Sequence, residues 1–465
     1  MKEEIDSDLF RDTISTVDSK GKRVWVFPKK PKGKFTRWRN YVSWVLLAFL
    51  FVMPWIKVND APFLMLNIPE RKFVLFSVFF GPQDFFIFAL LMITAIVFIS
   101  LFTVAFGRIF CGWVCPQTIF MEMVFRKIEY LIEGDYTRQK ALAKSEWTGE
   151  KIWKKSLKHF LFLLVSFLIA NTFLAYIMGS DALLEMVRNG PMQHLGLFVG
   201  LLLFTLVFYF VFSWMREQVC IIICPYGRLQ GVLLDEKSVV VAYDHVRGEP
   251  RGNPKKNKDK ELGDCIDCYQ CVNVCPTGID IRNGTQLECV GCTACIDACD
   301  EIMEKIDRPL GLIRYASKDE IDKKEKFRFT TRMKAYSGVL LLLLLISAVL
   351  LITRKEFDAT FSRMRGTTYQ EQSDGTISNF FTIGLVNKSF QSFNPEIRLI
   401  SPANGTLKII GTQSSLEGGE SEEVNVLVSL PQDMVQSHKT NIKLGVFKGD
   451  KLMKESEMVF FGPME

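Results

Sequence analysis

No cysteine stands before residue 111 or after residue 299, although the chain of 465 residues holds 12 of them. A secreted disulfide scaffold would spread its thiols through the exported segments, so that class is excluded and ligand or redox chemistry is the better reading. Histidine is scarce, with 4 residues in all and none in the cysteine-rich stretch 263–305. That scarcity argues against a zinc module of mixed Cys/His ligands. The string C-x-x-C-H is absent, which excludes attachment of a c-type haem, and no glycine-rich phosphate loop stands out. Residues 1–40 lack a short apolar stretch followed by a small-residue cleavage site. No secretory signal peptide is therefore expected there, and the N-terminus is expected to stay untranslocated.

Long apolar runs, by contrast, are plentiful. Five uncharged stretches, 41–56, 85–107, 159–180, 191–215 and 335–353, approach or exceed the length of a bilayer-crossing helix, which is roughly 20 residues. The first is the shortest and contains Pro54. Basic residues cluster in Lys22–Arg39, in 108–158 and in 314–334, whereas 57–84 and 181–190 have few. The positive-inside rule then predicts a cytoplasmic N-terminus, 108–158 loop and 216–334 segment, with the C-terminal segment outside. Arg354 and Lys355, just past the last run, weakly oppose this assignment. Lipid headgroups and topology account for the basic runs, so no nucleic-acid partner is expected.

The expected fold is a multi-domain membrane protein. It combines an α-helical transmembrane bundle of five spans, an inserted bacterial-type 2[4Fe-4S] ferredoxin domain of α+β class, and a C-terminal Ig-like antiparallel β-sandwich. The predicted boundaries are a mobile basic cytoplasmic arm at 1–40, a four-span domain at 41–244, a linker at 245–262, the ferredoxin-like domain at 263–305, a connector at 306–334, the fifth span at 335–353 and the sandwich at 357–465. The sandwich follows from six short alternating runs, among them "NFFTIGLVN", "EVNVLVSL" and "SEMVFFG", separated by turn signals such as Asn404-Gly405.

"CIDCYQCVNVCP" places Cys265, Cys268, Cys271 and Cys275 at the spacing C-x2-C-x2-C-x3-C-P. "CVGCTACIDACD" repeats the spacing at Cys289, Cys292, Cys295 and Cys299, with Asp300 where the second proline would stand. This is the spacing of a protein holding two [4Fe–4S] clusters, in which the fourth cysteine of each run reaches the other cluster. Cys265, Cys268, Cys271 and Cys299 are the predicted ligands of one cluster, and Cys289, Cys292, Cys295 and Cys275 of the other. The nearby carboxylates Asp264, Asp267, Asp297 and Asp300 leave the direction of any tuning open.

Two further pairs end apolar runs: "CGWVCP", with Cys111 and Cys115, and "CIIICP", with Cys220 and Cys224. An i, i+4 spacing puts both thiols of a pair on one face of a helical turn, and Pro116 and Pro225 mark the break after it. Both pairs are predicted at the cytoplasmic face. Soft-metal binding is one reading, since thiolates select Cu(I) or iron–sulfur species. A thiol–disulfide relay, its thiols made acidic by Arg108, Arg216 and Arg228, is another. Packing by small buried residues is the third. Trp113 reads as an interfacial anchor. His159 and His194 start successive spans at opposite faces and cannot ligate one haem.

On these strings, together with "GRIFCGWVCPQT", "CIIICPYGRLQG" and "RPLGLIRY", the sequence resembles the cytochrome c oxidase accessory protein family of the FixG/RdxA/CcoG type over nearly its whole length. The resemblance implies a protein of the bacterial cytoplasmic (inner) membrane that acts in assembly of a cbb-type cytochrome c oxidase. More concretely, it implies a membrane cupric reductase turning Cu(II) into Cu(I) for delivery. The implied cofactors are two [4Fe–4S] clusters, with a copper ion as substrate. The implied partners are the lipid bilayer, a copper transporter or chaperone, oxidase assembly factors and a cytoplasmic electron donor. Because Cu(I) prefers thiolate sulfur, Cys111, Cys115, Cys220 and Cys224 are the candidate copper-binding and catalytic residues. Two rival readings are a quinol-oxidising electron-transfer subunit of NapH type, which the fifth span and the sandwich argue against, and a non-enzymatic, redox-sensing assembly scaffold.

Overall fold

The computed structural model describes residues 16–463 except 19, 59–60, 69–71, 77, 82–83, 191, 253–260, 326, 356, 365, 367, 373–374, 390, 412–414 and 436–437. Two compact units divide the chain. One comprises Met1–Val52, Met92–Leu174 and Leu184–Leu345, and the other Met53–Leu91, Ala175–Leu183 and Ile346–Glu465.

Among the described residues, 4 helices are long and apolar enough to cross a membrane: Phe85–Phe106, Gly149–Met178, Leu195–Met215 and Thr331–Ile352. The last leaves Val339, Leu341, Leu342, Leu344 and Leu345 exposed, a surface that lipid covers without cost. The expected first span, 41–56, overlaps the helix Lys34–Val52 only as far as Val52, and this helix is not among the 4. Its opening turns carry Lys34, Arg37 and Arg39, and Pro54 follows in the 3-10 turn Met53–Trp55. Proline cannot donate the next helical hydrogen bond, so the uncharged part of this helix is short. Trp38, Tyr41 and Trp44 stay exposed on it, as interfacial aromatics do.

In the first unit, the helices pack through an aromatic core of Phe120, Phe125, Phe162 and Phe212. Phe125 stacks on Phe212 at 4.8 Å and meets Phe162 edge-on at 4.8 Å. Three widened π-helical segments, Ile119–Phe125, Val211–Met215 and Val219–Ile223, occur close to the paired-cysteine motifs. Such segments are uncommon and concentrate near functional sites.

The cysteine-rich region is closed by an antiparallel pair of strands, β1 (Val240–Tyr243) and β2 (Ile313–Ala316). These two strands thus flank the cysteine-rich stretch on both sides. Its bracketing strands are short apolar strings that read as ends of the neighbouring segments. Val241 and Tyr243 of β1 are buried, while Val240 and Ala242 lie half-buried on the opposite face, the alternation a strand imposes. Much of the expected linker, 253–260, lies outside the described residues; before it, His245–Gly248 forms a helical turn capped by Asp244.

The basic arm is pinned along its described part rather than free. Lys29 donates its backbone N–H to the Asn273 carbonyl at 2.7 Å and its Nζ to Gln270 at 3.1 Å. Phe35 and Thr36 donate backbone N–H groups to Asp297 at 3.0 and 2.7 Å. Asp297 thus caps the Lys34–Val52 helix from a distance in sequence, filling the role of a local N-cap.

The second unit carries the sandwich. Its strands are β3 (Phe357–Arg363), β4 (Gln370–Glu371), β5 (Thr376–Asn387), β6 (Glu396–Ser401), β7 (Thr406–Ile410), β8 (Ser421–Pro431), β9 (Lys439–Lys448) and β10 (Lys451–Phe461). One sheet runs β7-β8-β5-β3 with β4 beside β5, and the other β6-β9-β10. Alternate residues Phe381, Ile383 and Leu385 meet Val426, Val428 and Leu430 from one sheet and Ile442, Leu444 and Val446 from the other. In the same unit Asp84 binds Arg354 at 2.8 Å and Lys388 at 2.6 Å, all three buried or nearly so. Arg354 is thus an ion-pair partner of Asp84.

Candidate functional site

The eight closely spaced cysteines surround two cavities. One is lined by Cys265, Cys268, Cys271 and Cys299. The other is lined by Cys275, Cys289, Cys292 and Cys295, with Cys271 reaching its wall as well. Left-handed backbone makes this wrapping possible. The residues flanking the second cysteine of each run, Asp267 and Tyr269 around Cys268 and Gly291 and Thr293 around Cys292, all have positive φ. Cys295 and Cys299 project from the helix Ala294–Lys305 one turn apart.

Away from sulfur, the walls are apolar: Val241, Ile279, Ile281 and Val290 on one side, Ile302, Met303, Leu312 and Ile313 on the other. Burial pushes the Cys271 and Cys292 thiols up to about 12 and Cys289 to about 11. Such groups ionise only beside strong positive charge. Among the described residues no three His, Cys, Asp or Glu side chains converge as ligands of a single metal ion. Four thiols around each site suit a polynuclear iron–sulfur group, and the donor set and the apolar walls fit that group.

The nearby carboxylates all have partners. Asp264 binds Arg247 and Arg308, and Asp267 shares Arg282 with Asp280. Asp297 caps the N-terminal helix, and Asp300 accepts from the Gly311 N–H at 2.9 Å. The bond from Arg247 holds Asp264 below the usual carboxylate range, whereas burial pushes Asp300 up.

The membrane-mouth pairs abut this region directly. Cys111 and Cys220 pack against Val274, Val290, Cys292 and Ala294. Gly112, inside "CGWVCP", faces Gly291, inside "CVGC": a β-carbon on Gly112 would come within 2.4 Å of the Gly291 carbonyl. A β-carbon on Gly291 would in turn meet the Arg108 carbonyl at 2.8 Å. Two glycines thus let two backbones touch. Buried arginines lock the contact. Arg39 donates to the Gly112 carbonyl at 2.6 Å and the Cys292 carbonyl at 3.3 Å. Arg108 donates to the carbonyls of Leu287 and Gly227, and to Cys289 at 3.3 Å. Trp113 donates to the Tyr315 hydroxyl at 3.2 Å and is half-buried, so it docks on β2 instead of anchoring at an interface.

Two of the thiols, Cys111 and Cys220, are not acidic. Burial pushes Cys111 to about 11, the Arg108 charge offsetting only part of it, and Cys220 to about 12. Arg216 is committed elsewhere, forking onto Glu129 at 3.1 and 2.7 Å. That weakens the relay reading, which needs thiolate at neutral pH. Arg216 belongs to a buried charge network with Arg126, Glu122, Glu129 and Glu217 that hydropathy did not reveal. Its only sequence signal is the pairing of acidic and basic residues just after "CGWVCP". Cys111 itself contacts the Gln230 side chain at 3.6 Å.

Comparison with known proteins agrees with this geometry. The 4Fe-4S dicluster domain family matches residues 215–318, a 4Fe-4S binding domain family matches 85–133, and the IG-like fold at the C-terminus of FixG matches 347–463. Protein RdxA of Cereibacter sphaeroides is 35% identical over 423 residues, 87% of each chain. Protein RdxB of the same organism is 34% identical over 450 residues, 91% of this chain and 93% of its own. The nitrogen fixation protein FixG of Rhizobium meliloti is 36% identical over 324 residues, 66% of this chain and 61% of its own. The fold and the cysteine-lined cavities therefore define an iron–sulfur electron-transfer protein of the membrane. Within that class, the chain belongs to the FixG/RdxA family.

Proposed function

We propose that this protein is a cupric reductase of the bacterial inner membrane, supplying Cu(I) for assembly of a cbb-type cytochrome c oxidase. The observation that carries the reading is the contact between "CGWVCP" and "CVGC", which brings the paired thiols against the wall of a cysteine-lined cavity. Cys265, Cys268, Cys271 and Cys299 would hold one [4Fe–4S] cluster, and Cys275, Cys289, Cys292 and Cys295 a second. Bound clusters supply one-electron transfer, the stoichiometry that Cu(II) reduction requires. Cys111, Cys115, Cys220 and Cys224 would take copper as substrate, their sulfur favouring the product Cu(I). Buried Gln117 Nε2, just past Pro116, has no hydrogen-bond partner among the described residues, which supports a ligand or water beside these thiols. The distribution of Lys and Arg supports a cytoplasmic 216–334 segment and an exported sandwich.

The test uses anaerobic protein reduced by dithionite, freed of excess reductant and mixed with Cu(II) and a Cu(I)-specific chelator. Cu(I) should form as the cluster absorbance returns to its oxidised form. Replacing Cys111→Ser and Cys224→Ser together should abolish Cu(I) formation while the cluster spectrum stays. Full turnover in that variant would overturn the role of these thiols.

A second reading has its own support, because the 4Fe-4S binding domain match over 85–133 includes only Cys111 and Cys115 as cysteines. In it the four paired thiols hold a further iron–sulfur group. Iron content above that of two clusters, lost in the double variant, would favour it.

A further inference from the structure

The span Leu195–Met215 ends in an abrupt break. The next residue, Arg216, has φ 53° and ψ −121°. That is the conformation of the first central residue of a type II′ turn, a place glycine fills because it has no β-carbon. An arginine held there is strained, and such strain persists only where the surroundings over-determine it.

The surroundings do so from three sides. Arg216 is buried and forks onto Glu129, Nη1 donating to Oε1 at 3.1 Å and Nη2 to Oε2 at 2.7 Å. A planar fork on a carboxylate fixes direction as well as distance. Arg23 reaches in from the N-terminal arm and donates to the carbonyls of Trp214 and, at 3.4 Å, Met215. Carbonyls at a helix end are the groups that need such donors. Glu217, fully buried, accepts from Arg23 at 2.9 Å and lies 3.7 Å from Arg126.

The two ends of the fork belong to the two cysteine hexamers. Cys115 opens the helical stretch 116–132, and Glu129 lies in its last part, Arg126–Ile132. Arg216 precedes the segment Val219–Ile223, which carries Cys220 and ends at Cys224. The break at Arg216 sets the direction in which that segment leaves the span, and with it the place of Cys220. Cys111 and Cys220 pack against the same residues, Val274, Val290, Cys292 and Ala294. Beyond Cys224 the chain is close behind: a β-carbon on Gly227 would come within 2.8 Å of the Cys220 carbonyl. The segment is thus fastened at both ends.

We propose that Arg216 is a positioning residue: the Glu129 fork holds its backbone in the strained conformation, and that break sets the thiols of "CIIICP" beside those of "CGWVCP". The inference rests on the copper reading above and adds what brings the four thiols together. Lysine cannot replace Arg216 fully, because an ammonium has no fork. Glycine accepts the backbone conformation but has nothing to hold it with.

The test is cross-linking of the detergent-solubilised, cluster-loaded holoprotein with a short bis-methanethiosulfonate, kept anaerobic and free of copper. Peptide mass spectrometry should find a link from Cys111 or Cys115 to Cys220 or Cys224. Arg216→Gly should keep the cluster spectrum but lower that link about 10-fold, as loss of an orienting clamp does, with Arg216→Lys falling between. Glu129→Gln, which leaves Arg216 in place, should lower the link too, and serves as the second variant should the glycine variant fail to accumulate. Lys155→Gln removes the nearby ion pair with Glu133 without touching the fork, and should keep the parent's link. Cu(I) formed per reduced protein, measured separately, should fall in the same order as the link. A parent without the link, or a link unchanged in both Arg216→Gly and Glu129→Gln, would overturn the proposal. Equal loss in Lys155→Gln would overturn it as well, because that marks general loosening. Failure of the copper reading shows separately, as a parent that cross-links yet forms no Cu(I).

Discussion

Arg39 shows how much one side chain can decide. It is only 3% exposed, and its guanidinium spans the Gly112 and Cys292 carbonyls. Hydrogen bonds to a charged donor contribute about 1.5–3 kcal/mol, and buried acceptors left bare are costly. Arg39→Met should therefore destabilise the first unit by about 2–4 kcal/mol, seen as a lower unfolding temperature and faster bleaching of cluster absorbance in air. Arg39→Lys should rescue only partly, since an ammonium lacks the planar fork that reaches two carbonyls. Sequence pattern assigned Arg39 to a basic topogenic cluster, and that reading is compatible with its place before a span. Its partners lie 73 and 253 residues away, and no local pattern carries such a pairing.

At the scale of elements, the informative contact is between a turn and a loop. Gly112→Ala should push "CGWVCP" away from "CVGC", because the nearest obstacle is backbone and cannot rotate aside. Overpacking of this kind costs about 1–3 kcal/mol. The expected result is normal membrane insertion with slowed electron delivery to Cu(II), measured as Cu(I) formed per reduced protein. Val114→Ala in the same hexamer is a control, since that side chain is exposed. The two ferredoxin-type runs and the apolar spans were legible because their signals are local spacings and compositions. The β1–β2 pair was not, because a strand of four residues has too few alternations to declare itself. The π-helical segments were hidden for a related reason: a shift from i+4 to i+5 bonding leaves no mark in residue type.

For the whole molecule, the second unit is assembled from three separated stretches of chain. Asp84, at the start of one span, holds Arg354 and Lys388. Breaking a buried pair leaves charge without compensation, at about 3–5 kcal/mol. Asp84→Ala should therefore raise proteolytic release of a C-terminal fragment containing 357–463, while the cluster absorbance stays as in the parent. Intact resistance to protease would show that the apolar sandwich core suffices alone. The sandwich itself was readable from alternating runs such as "NFFTIGLVN", whose inward residues form the core. The ion cluster was not, because Asp84 and Lys388 become neighbours only after folding.

The backbone contact at Gly112 and Gly291 also bears on how such a protein can change over time. Neither the membrane hexamer nor the ligand loop can gain a residue, or a side chain at these two positions, without displacing the other. The two segments are therefore not exchangeable modules. A chimera that grafts residues 263–305 from a soluble two-cluster ferredoxin should insert and fold its sandwich, yet lose copper turnover unless the graft carries a glycine at the position of Gly291.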